Sequence, residues 1–168
     1  MNGFVGFKDG TRKNKYGTTC FLGPKYQILN KKYEQKPIRK KKRFDLLITM
    51  GGFDNRKIIE TISKEIIPFL DRLKVKIILG PATKRSNEIA NLESKFRKNL
   101  IIVQKTKNMR REILDSKFGI CGGGITSYEF ANLSIPFAII CQYPHQLQTA
   151  TQWHNNKIGL NLGLPNKQ

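Results

Sequence analysis

Long hydrophobic runs and cysteine pairs are both missing from this chain of 168 residues. No apolar run approaches the roughly 20 residues that a membrane-spanning helix needs, and the N-terminus lacks a signal-peptide pattern. We therefore expect a cytoplasmic protein without a transmembrane segment. The three cysteines, Cys20, Cys121 and Cys141, have no metal-like spacing, so we expect structural free thiols.

Recognisable catalytic sets are also lacking. The sequence contains no Ser/His/Asp arrangement, no carboxylate pair spaced for glycoside hydrolysis and no metal-ligand cluster. It shows neither an RNA-binding aromatic signature nor zinc-finger spacing. The residues alone therefore leave the catalytic residues unknown, and we predict no metal ion and no cofactor.

Acidic residues are few, with 12 Asp and Glu against 31 Lys and Arg, which gives a net charge of +19. Such a charge attracts nucleic acid, anionic membranes and phosphorylated ligands alike, so it does not choose among them. The one dense basic block, residues 39–43, fits a solvated linker or a patch for RNA or membrane. A lysine-favouring genome would also produce this composition. We predict no specific nucleic-acid partner.

Short β-branched runs alternate with longer helical stretches after residue 43, which is typical of a parallel sheet with crossover helices. We predict a Rossmann-like α/β fold of about six strands with helices on both faces. The predicted strands are Phe44 to Met50, Val75 to Leu79, Leu100 to Val103, Phe118 to Cys121, Phe137 to Ile140 and a weak strand near Ile158 to Leu162.

Apolar residues at helical spacing predict the connecting helices. Pro68 should kink the first of them or shift its end. Residues 1–43 show no sustained alternation of strand and helix, so we assign them as a tail and linker before a domain at residues 44–168. The predicted helices are Asn55 to Leu73, Ser86 to Lys98, Asn108 to Ser116, Thr126 to Leu133 and Gln146 to Asn156.

The most informative segment is a strand that runs into Gly122, Gly123 and Gly124 and then into a helix. Such a turn leaves backbone N–H groups at the positive end of a helix, where a phosphate can bind them. Glycine would supply a positive φ and allow close approach of the anion. Thr126 or Ser127 could cap the helix. An ordinary tight connection remains the alternative.

Two further loops should lie at the same sheet edge, where ligands of open parallel sheets bind. Met50 to Asp54 contains Gly51 and Gly52, with Asp54 or Asn55 placed to cap the next helix, and Cys141 to Gln146 contains His145. Two glycine loops on one edge favour a diphosphate. His145 suits a general base or phosphate partner as well as a plain surface residue.

Glu129 lies one turn into the helix that follows the glycine turn. A carboxylate there could accept hydrogen bonds from the vicinal hydroxyls of a ribose, or could simply favour the helix dipole.

Several motifs resemble one family when taken in order. They are Leu22-Gly23-Pro24-Lys25-Tyr26, Thr49-Met50-Gly51-Gly52-Phe53-Asp54, Met109-Arg110-Arg111-Glu112-Ile113-Leu114, Gly122-Gly123-Gly124-Ile125-Thr126-Ser127-Tyr128-Glu129 and Ala131-Asn132-Leu133-Ser134-Ile135-Pro136. Together they resemble the C-terminal half of GT-B nucleotide-sugar enzymes. The motifs are most similar to the UDP-sugar hydrolase of the pseudaminic acid pathway and its spore-coat polysaccharide relatives, and more distantly to the peptidoglycan N-acetylglucosaminyl transferase.

The resemblance implies a UDP-sugar site, with the glycine turns on the diphosphate, Glu129 on the ribose, Gln146 on the sugar and backbone near Met109 at the uracil. Ile125 stands where the family usually has a small hydroxyl residue, which removes one possible phosphate donor. The implied ligand-binding residues are Gly51, Gly52, Phe53, Met109, Gly123, Gly124, Ile125, Thr126, Ser127, Glu129, His145 and Gln146.

GT-B enzymes work in a cleft between two Rossmann-like domains, and the histidine that is catalytic in the hydrolases belongs to the N-terminal one. The chain therefore resembles a fragment, a truncated product or one subunit of a split enzyme, and its expected partner is an N-terminal GT-B half. The leading hypothesis is the UDP-sugar-binding half of a hydrolase or glycosyltransferase. The alternative is a noncatalytic nucleotide-binding or interaction subunit of a split glycosyltransferase.

Overall fold

A parallel six-stranded sheet forms the centre of the protein. The computed structural model describes residues 3–35, 41–54 and 56–165. The sheet has the strand order β5-β4-β3-β6-β7-β8, and every neighbouring pair is parallel. Its strands are β3 (Phe44–Thr49), β4 (Val75–Leu79), β5 (Leu100–Gln104), β6 (Ser116–Cys121), β7 (Phe137–Ile139) and β8 (Gly159–Asn161).

The sheet is doubly wound, because the chain starts at β3, moves outward to β5 and then returns to build the other half from β6 to β8. Leu47 and Ile48 are adjacent on β3 and belong to two different buried clusters, one on each face of the sheet. The near-continuous burial of β3 and β4 is what a parallel sheet covered on both faces requires. The predicted Rossmann-like α/β fold is confirmed.

Five α-helices within the described residues connect these strands. Two of the helices begin at sequence-readable caps, since the side chains of Ser86 and Asn108 accept hydrogen bonds from the first turns of α2 and α3. The bounds are α1 (Ile58–Glu65), α2 (Asn87–Phe96), α3 (Met109–Leu114), α4 (Ile125–Asn132) and α5 (Gln146–Asn155).

The first helix is much shorter than the sequence predicts. A continuous helix to Leu73 was expected, but α1 ends at Glu65 and a short 3-10 helix follows at Ile67–Phe69, with Pro68 inside it. Proline lacks the N–H group that an α-helix would need at that point, so the shift at Pro68 is confirmed and the longer helix is wrong.

The N-terminal segment contains structure that the sequence did not predict. An antiparallel hairpin joins β1 (Gly10–Lys13) to β2 (Thr19–Leu22), and 3-10 helices follow at Pro24–Tyr26 and Lys31–Glu34. The hairpin strands are mostly exposed and polar, so they lack the apolar alternation by which strands are recognised.

Parts of this N-terminal segment pack on the sheet domain. Val5 and Tyr33 are buried in the same cluster as Phe130 and Trp153, and the Val5 backbone N–H donates to the Tyr128 hydroxyl at 3.2 Å. Cys20, Cys121 and Cys141 are free thiols, and the last two are buried. Of the residues singled out in the sequence, Arg39, Lys40 and Asn55 lie outside the described residues.

Candidate functional site

A crevice of about 300 Å³ opens at the carboxyl ends of the central strands. It lies where β3 and β6 run side by side, which is the point where the chain switches from one half of the sheet to the other and where open α/β sheets bind their ligands. Three loops form it, after β3, β6 and β7. The lining residues are Met50, Gly51, Gly52, Phe53, Gly122, Gly124, Ile125, Thr126, Gln142 and Gln146.

The glycine turn after β6 forms one wall of the crevice. None of its three glycines has a positive φ, so the expected need for left-handed backbone at this turn is wrong. A Cβ at Gly124 would stand in open space, whereas a Cβ at Gly123 would lie 2.7 Å from the Cβ of Gln146. Gly123 therefore allows α5 to begin close to the turn, and Gly124 leaves the crevice open.

The N-terminus of α4 carries no side-chain cap. Gly124 is the N-cap residue and makes no capping hydrogen bond, so the predicted caps by Thr126 or Ser127 are wrong. The Ser127 hydroxyl instead donates to the Gly124 carbonyl at 2.7 Å and accepts from the Trp153 indole N–H at 3.1 Å. The positive end of this eight-residue helix is consequently not covered by a side-chain cap of its own.

The loop after β3 forms the opposite wall of the crevice. The helix that follows it, α1, differs from α4 because a carboxylate caps its N-terminus. The Asp54 carboxylate is buried and accepts hydrogen bonds from the backbone N–H groups of Ile58 at 2.9 Å and Ile59 at 2.7 Å. Lys57 is the N-cap residue of α1 and makes no side-chain capping bond, but the Asp54 carboxylate accepts from the first-turn amides and so caps the helix as predicted. Because a carboxylate already stands at this helix end, the loop contributes glycine backbone to the crevice but no second open helix terminus.

Gln142 joins the loop after β7 to the loop after β3 and was not among the predicted site residues. Its side-chain amide donates to the Met50 carbonyl at 2.8 Å, and its backbone N–H donates to the side-chain oxygen of Gln146 at 2.7 Å. Gln142 is buried beneath the crevice. A long amide in a loop at the carboxyl end of a strand was the only sequence signal for this role.

Some of the predicted site residues line the crevice, and others are buried or exposed outside its lining. Seven of them line it: Gly51, Gly52, Phe53, Gly124, Ile125, Thr126 and Gln146. Gly123 and Ser127 are buried behind it. His145 is exposed, stacks on Tyr143 with ring centroids 5.6 Å apart, and does not line the crevice. Met109 begins α3 and packs against the buried cluster that contains Phe130 and Trp153.

Glu129 lies one helical turn beyond the open end of α4 and is half-buried. Burial raises the pKa of its carboxyl, while contact with the hydroxyls of Tyr33 and Thr126 acts in the opposite direction. Burial, and then the Glu129 charge, raise the pKa of Tyr33. The Tyr33 hydroxyl faces the carboxylate without reaching standard hydrogen-bond geometry.

Within the described residues there is neither a metal-ligand cluster nor a membrane-spanning helix. No group of three or more His, Cys, Asp or Glu side chains stands close enough to hold a metal ion within residues 3–35, 41–54 and 56–165. Over the same ranges, no helix has both the length and the apolar character needed to cross a bilayer.

Known proteins resemble this chain in sequence and in fold, although no protein-family model matches it. It is 28% identical to the uncharacterized protein MJ1062 of Methanocaldococcus jannaschii, over 88% of this chain and 32% of that protein. It is 24% identical to the spore coat polysaccharide biosynthesis protein SpsG of Bacillus subtilis, over 88% of this chain and 44% of SpsG.

Among solved structures, Acinetobacter baumannii MurG matches with a TM-score of 0.53 and 15% identity, over 78% of this chain and 38% of MurG. The likeness to MurG is one of fold. The chain spans less than half the length of each of these three proteins. The expected resemblance to spore-coat polysaccharide proteins and to a half of a GT-B fold is thereby confirmed.

Proposed function

We propose that this chain is the UDP-sugar-binding half of a nucleotide-sugar hydrolase or glycosyltransferase that serves the synthesis of surface polysaccharide or of a pseudaminic-type nonulosonic acid. The observation that carries the proposal is the uncapped N-terminus of α4 at a glycine-lined crevice on the switch point of the sheet. The sequence likeness to SpsG, a protein named for spore coat polysaccharide biosynthesis, supports it.

In this proposal the diphosphate lies across the glycine turn. The backbone N–H groups of Ile125 and Thr126 and the dipole of α4 stabilise its charge, and the same groups stabilise negative charge that develops on UDP as the leaving group. Gly52 and Gly124 leave room for the diphosphate on both sides of the crevice, since a Cβ at either position would project into open space.

The remaining roles are those that the family resemblance implies. Glu129 accepts hydrogen bonds from the ribose hydroxyls, and the backbone near Met109 faces the uracil. Gln146 contacts the sugar through its side-chain amide nitrogen, because its amide oxygen already accepts the Gln142 N–H.

In this proposal an N-terminal GT-B half, as a partner domain or subunit, supplies the reacting groups. The side chains of Phe53 and Ile125 stand beside the crevice with 50% and 58% of their surface exposed, so the open side of the crevice has an apolar border that another domain could cover. In the hydrolase version water attacks the sugar, and in the transferase version an acceptor hydroxyl replaces the water. UDP leaves in both.

The test is titration calorimetry of the full chain with UDP, CDP and ADP. We expect a preference for UDP that Glu129→Ala weakens by about tenfold or more, because hydrogen bonds to a charged group contribute about 1.5–3 kcal/mol each. Glu88→Ala is the matched control, since it removes an exposed carboxylate from the first turn of α2. Absence of heat with every nucleotide at millimolar concentration would overturn the proposal.

Turnover distinguishes the enzyme from the alternative, a noncatalytic nucleotide-binding or interaction subunit. Hydrolysis of a UDP-sugar by this chain alone should be undetectable, and addition of a complementary N-terminal half should restore it if the chain is half of an enzyme. Tight UDP binding without turnover in that mixture would favour the noncatalytic subunit instead.

A further inference from the structure

Tyr33 is held against α3 and α4 by a short and well-defined turn. The side chain of Asn30 accepts the Lys32 N–H at 3.1 Å and so caps the 3-10 helix at Lys31–Glu34. Within this turn Tyr33 alone is buried, with 7% of its surface exposed. Beyond the turn, the Arg110 guanidinium donates to the Gln35 carbonyl at 2.9 Å, which fixes the segment to α3.

The hydroxyl of Tyr33 is unusual because it is buried and has no hydrogen-bond partner of standard geometry within the part of the chain that the structure describes. A buried hydroxyl without a partner costs free energy, so its presence calls for a partner. The group it faces is the carboxylate of Glu129, whose charge raises the pKa of the Tyr33 hydroxyl, while the charge of Arg110 lowers it.

The spacing along α4 places this pair where a nucleoside would follow a diphosphate. Glu129 is four residues beyond Ile125, which begins the helix, so its Cα lies about 6 Å further along the helix axis at about 1.5 Å per residue, and its side chain tilts back toward the N-terminus. A carboxylate has about four lone-pair positions. The hydroxyls of Tyr33 and Thr126 would occupy two of them, which leaves two for neighbouring hydroxyls of a ligand.

We propose that Tyr33 is a positioning residue of the nucleoside site, whose hydroxyl donates to the Glu129 carboxylate when nucleotide binds and holds it toward the vicinal hydroxyls of a ribose. This inference rests on the proposed function and extends it. It assigns part of the nucleotide site to the N-terminal segment, and it gives the chain selectivity for ribonucleotides over 2′-deoxyribonucleotides.

The experiment compares UDP with 2′-deoxy-UDP by calorimetry in the wild-type chain and in Tyr33→Phe. The variant removes an oxygen that makes no hydrogen bond of standard geometry among the described residues, so its folding should be little affected. We expect Tyr33→Phe to weaken UDP binding about tenfold and 2′-deoxy-UDP binding less, so that the ratio of the two dissociation constants moves toward one. The control is Tyr26→Phe in the preceding 3-10 helix, where the Tyr26 ring packs on Phe21 of β2.

Dependence on pH gives a readout that a purely structural role would not change. Because Glu129 must be ionised to accept from ribose, UDP affinity should fall as pH drops through its pKa. Loss of the Tyr33 hydroxyl removes a contact that lowers this pKa, so the fall should begin at higher pH in Tyr33→Phe than in the wild type. The other ionisable groups around the pair, Arg110 of α3 and Cys121 of β6, are the same in both proteins.

The outcomes separate this inference from the proposed function. A wild-type chain that binds no uridine nucleotide overturns the proposed function and removes the site. A wild-type chain that prefers UDP, together with a Tyr33→Phe variant of unchanged preference and unchanged pH profile, overturns the role of Tyr33 alone. Tighter UDP binding by Tyr33→Phe also overturns it, since Tyr33 would then compete with the ligand.

Discussion

The two glycine loops at the centre of the sheet are similar in sequence and differ in chemistry. Each follows a buried strand, contains adjacent glycines and leads into an eight-residue helix. After β3 the helix end is filled by the Asp54 carboxylate, whereas after β6 the helix end has no side-chain cap. Two loops of the same appearance therefore offer only one open helix terminus.

The glycines of the two loops also serve different purposes. Gly51 has φ = 80°, a conformation that glycine adopts readily and other residues rarely do. Gly80, which follows β4, packs against this first loop, because its added Cβ would collide with the carbonyl oxygens of Gly51 and Gly52. In the turn after β6 the glycines have ordinary φ values, and their lack of side chains is what matters. A glycine pattern alone does not say which of these reasons applies.

The largest effect is expected at Gly124. Gly124→Val places a branched side chain in open space beside the uncapped amides of α4, which should obstruct a diphosphate and weaken UDP binding about a hundredfold, or about 2.7 kcal/mol. Calorimetry measures this loss. Thermal unfolding of the same variant checks that the fold is retained.

Gly10→Val serves as the control for that substitution. Gly10 lies in the N-terminal hairpin, and its added Cβ would likewise meet nothing within 4 Å. UDP binding by this variant should match the wild type. Wild-type affinity in Gly124→Val would show that the open end of α4 is not the anion site.

A smaller effect, on stability, is expected at the other loop. Asp54→Ala removes both hydrogen bonds that the carboxylate accepts from α1 and should lower the free energy of unfolding by about 2 kcal/mol. Urea denaturation measures this change. Asp54→Asn retains one acceptor oxygen and should lose less.

The comparison of the loops also predicts that Asp54→Ala leaves UDP affinity within about twofold of the wild type, because the α1 amides face their own cap rather than the ligand. A large loss of affinity in a folded Asp54→Ala protein would mean that both helix ends contribute to the site.

Sequence reasoning succeeded where buried strands and local caps determine structure. Val75–Leu79 is a run of β-branched and aliphatic residues, so its strand is predictable at both ends. Ser86 and Asn108 are side-chain caps that act within three residues of themselves, so α2 and α3 begin close to where the sequence predicts. Such interactions are local and leave a pattern.

Prediction from the sequence failed where contacts join distant parts of the chain. Tyr33 was assigned to a tail because nothing near it in sequence shows that it packs beside Glu129. Gln142 was placed at the sheet edge but not among the site residues, because its bond to the Met50 carbonyl depends on how β3 and β7 are placed in the sheet. The site residues implied by the family resemblance remain predictions for the experiments above.

The smallest effect tests why glycine is needed in the first loop. Gly51→Ala should lower the free energy of unfolding by about 1 kcal/mol, because alanine at φ = 80° is strained although no neighbouring atom would obstruct its Cβ. Gly52→Ala is the matched control, since its Cβ also meets nothing within 4 Å and its φ is not positive. Equal urea midpoints for the two variants would show that backbone conformation does not distinguish them, and the contrast drawn between the loops would then rest on the Asp54 cap alone.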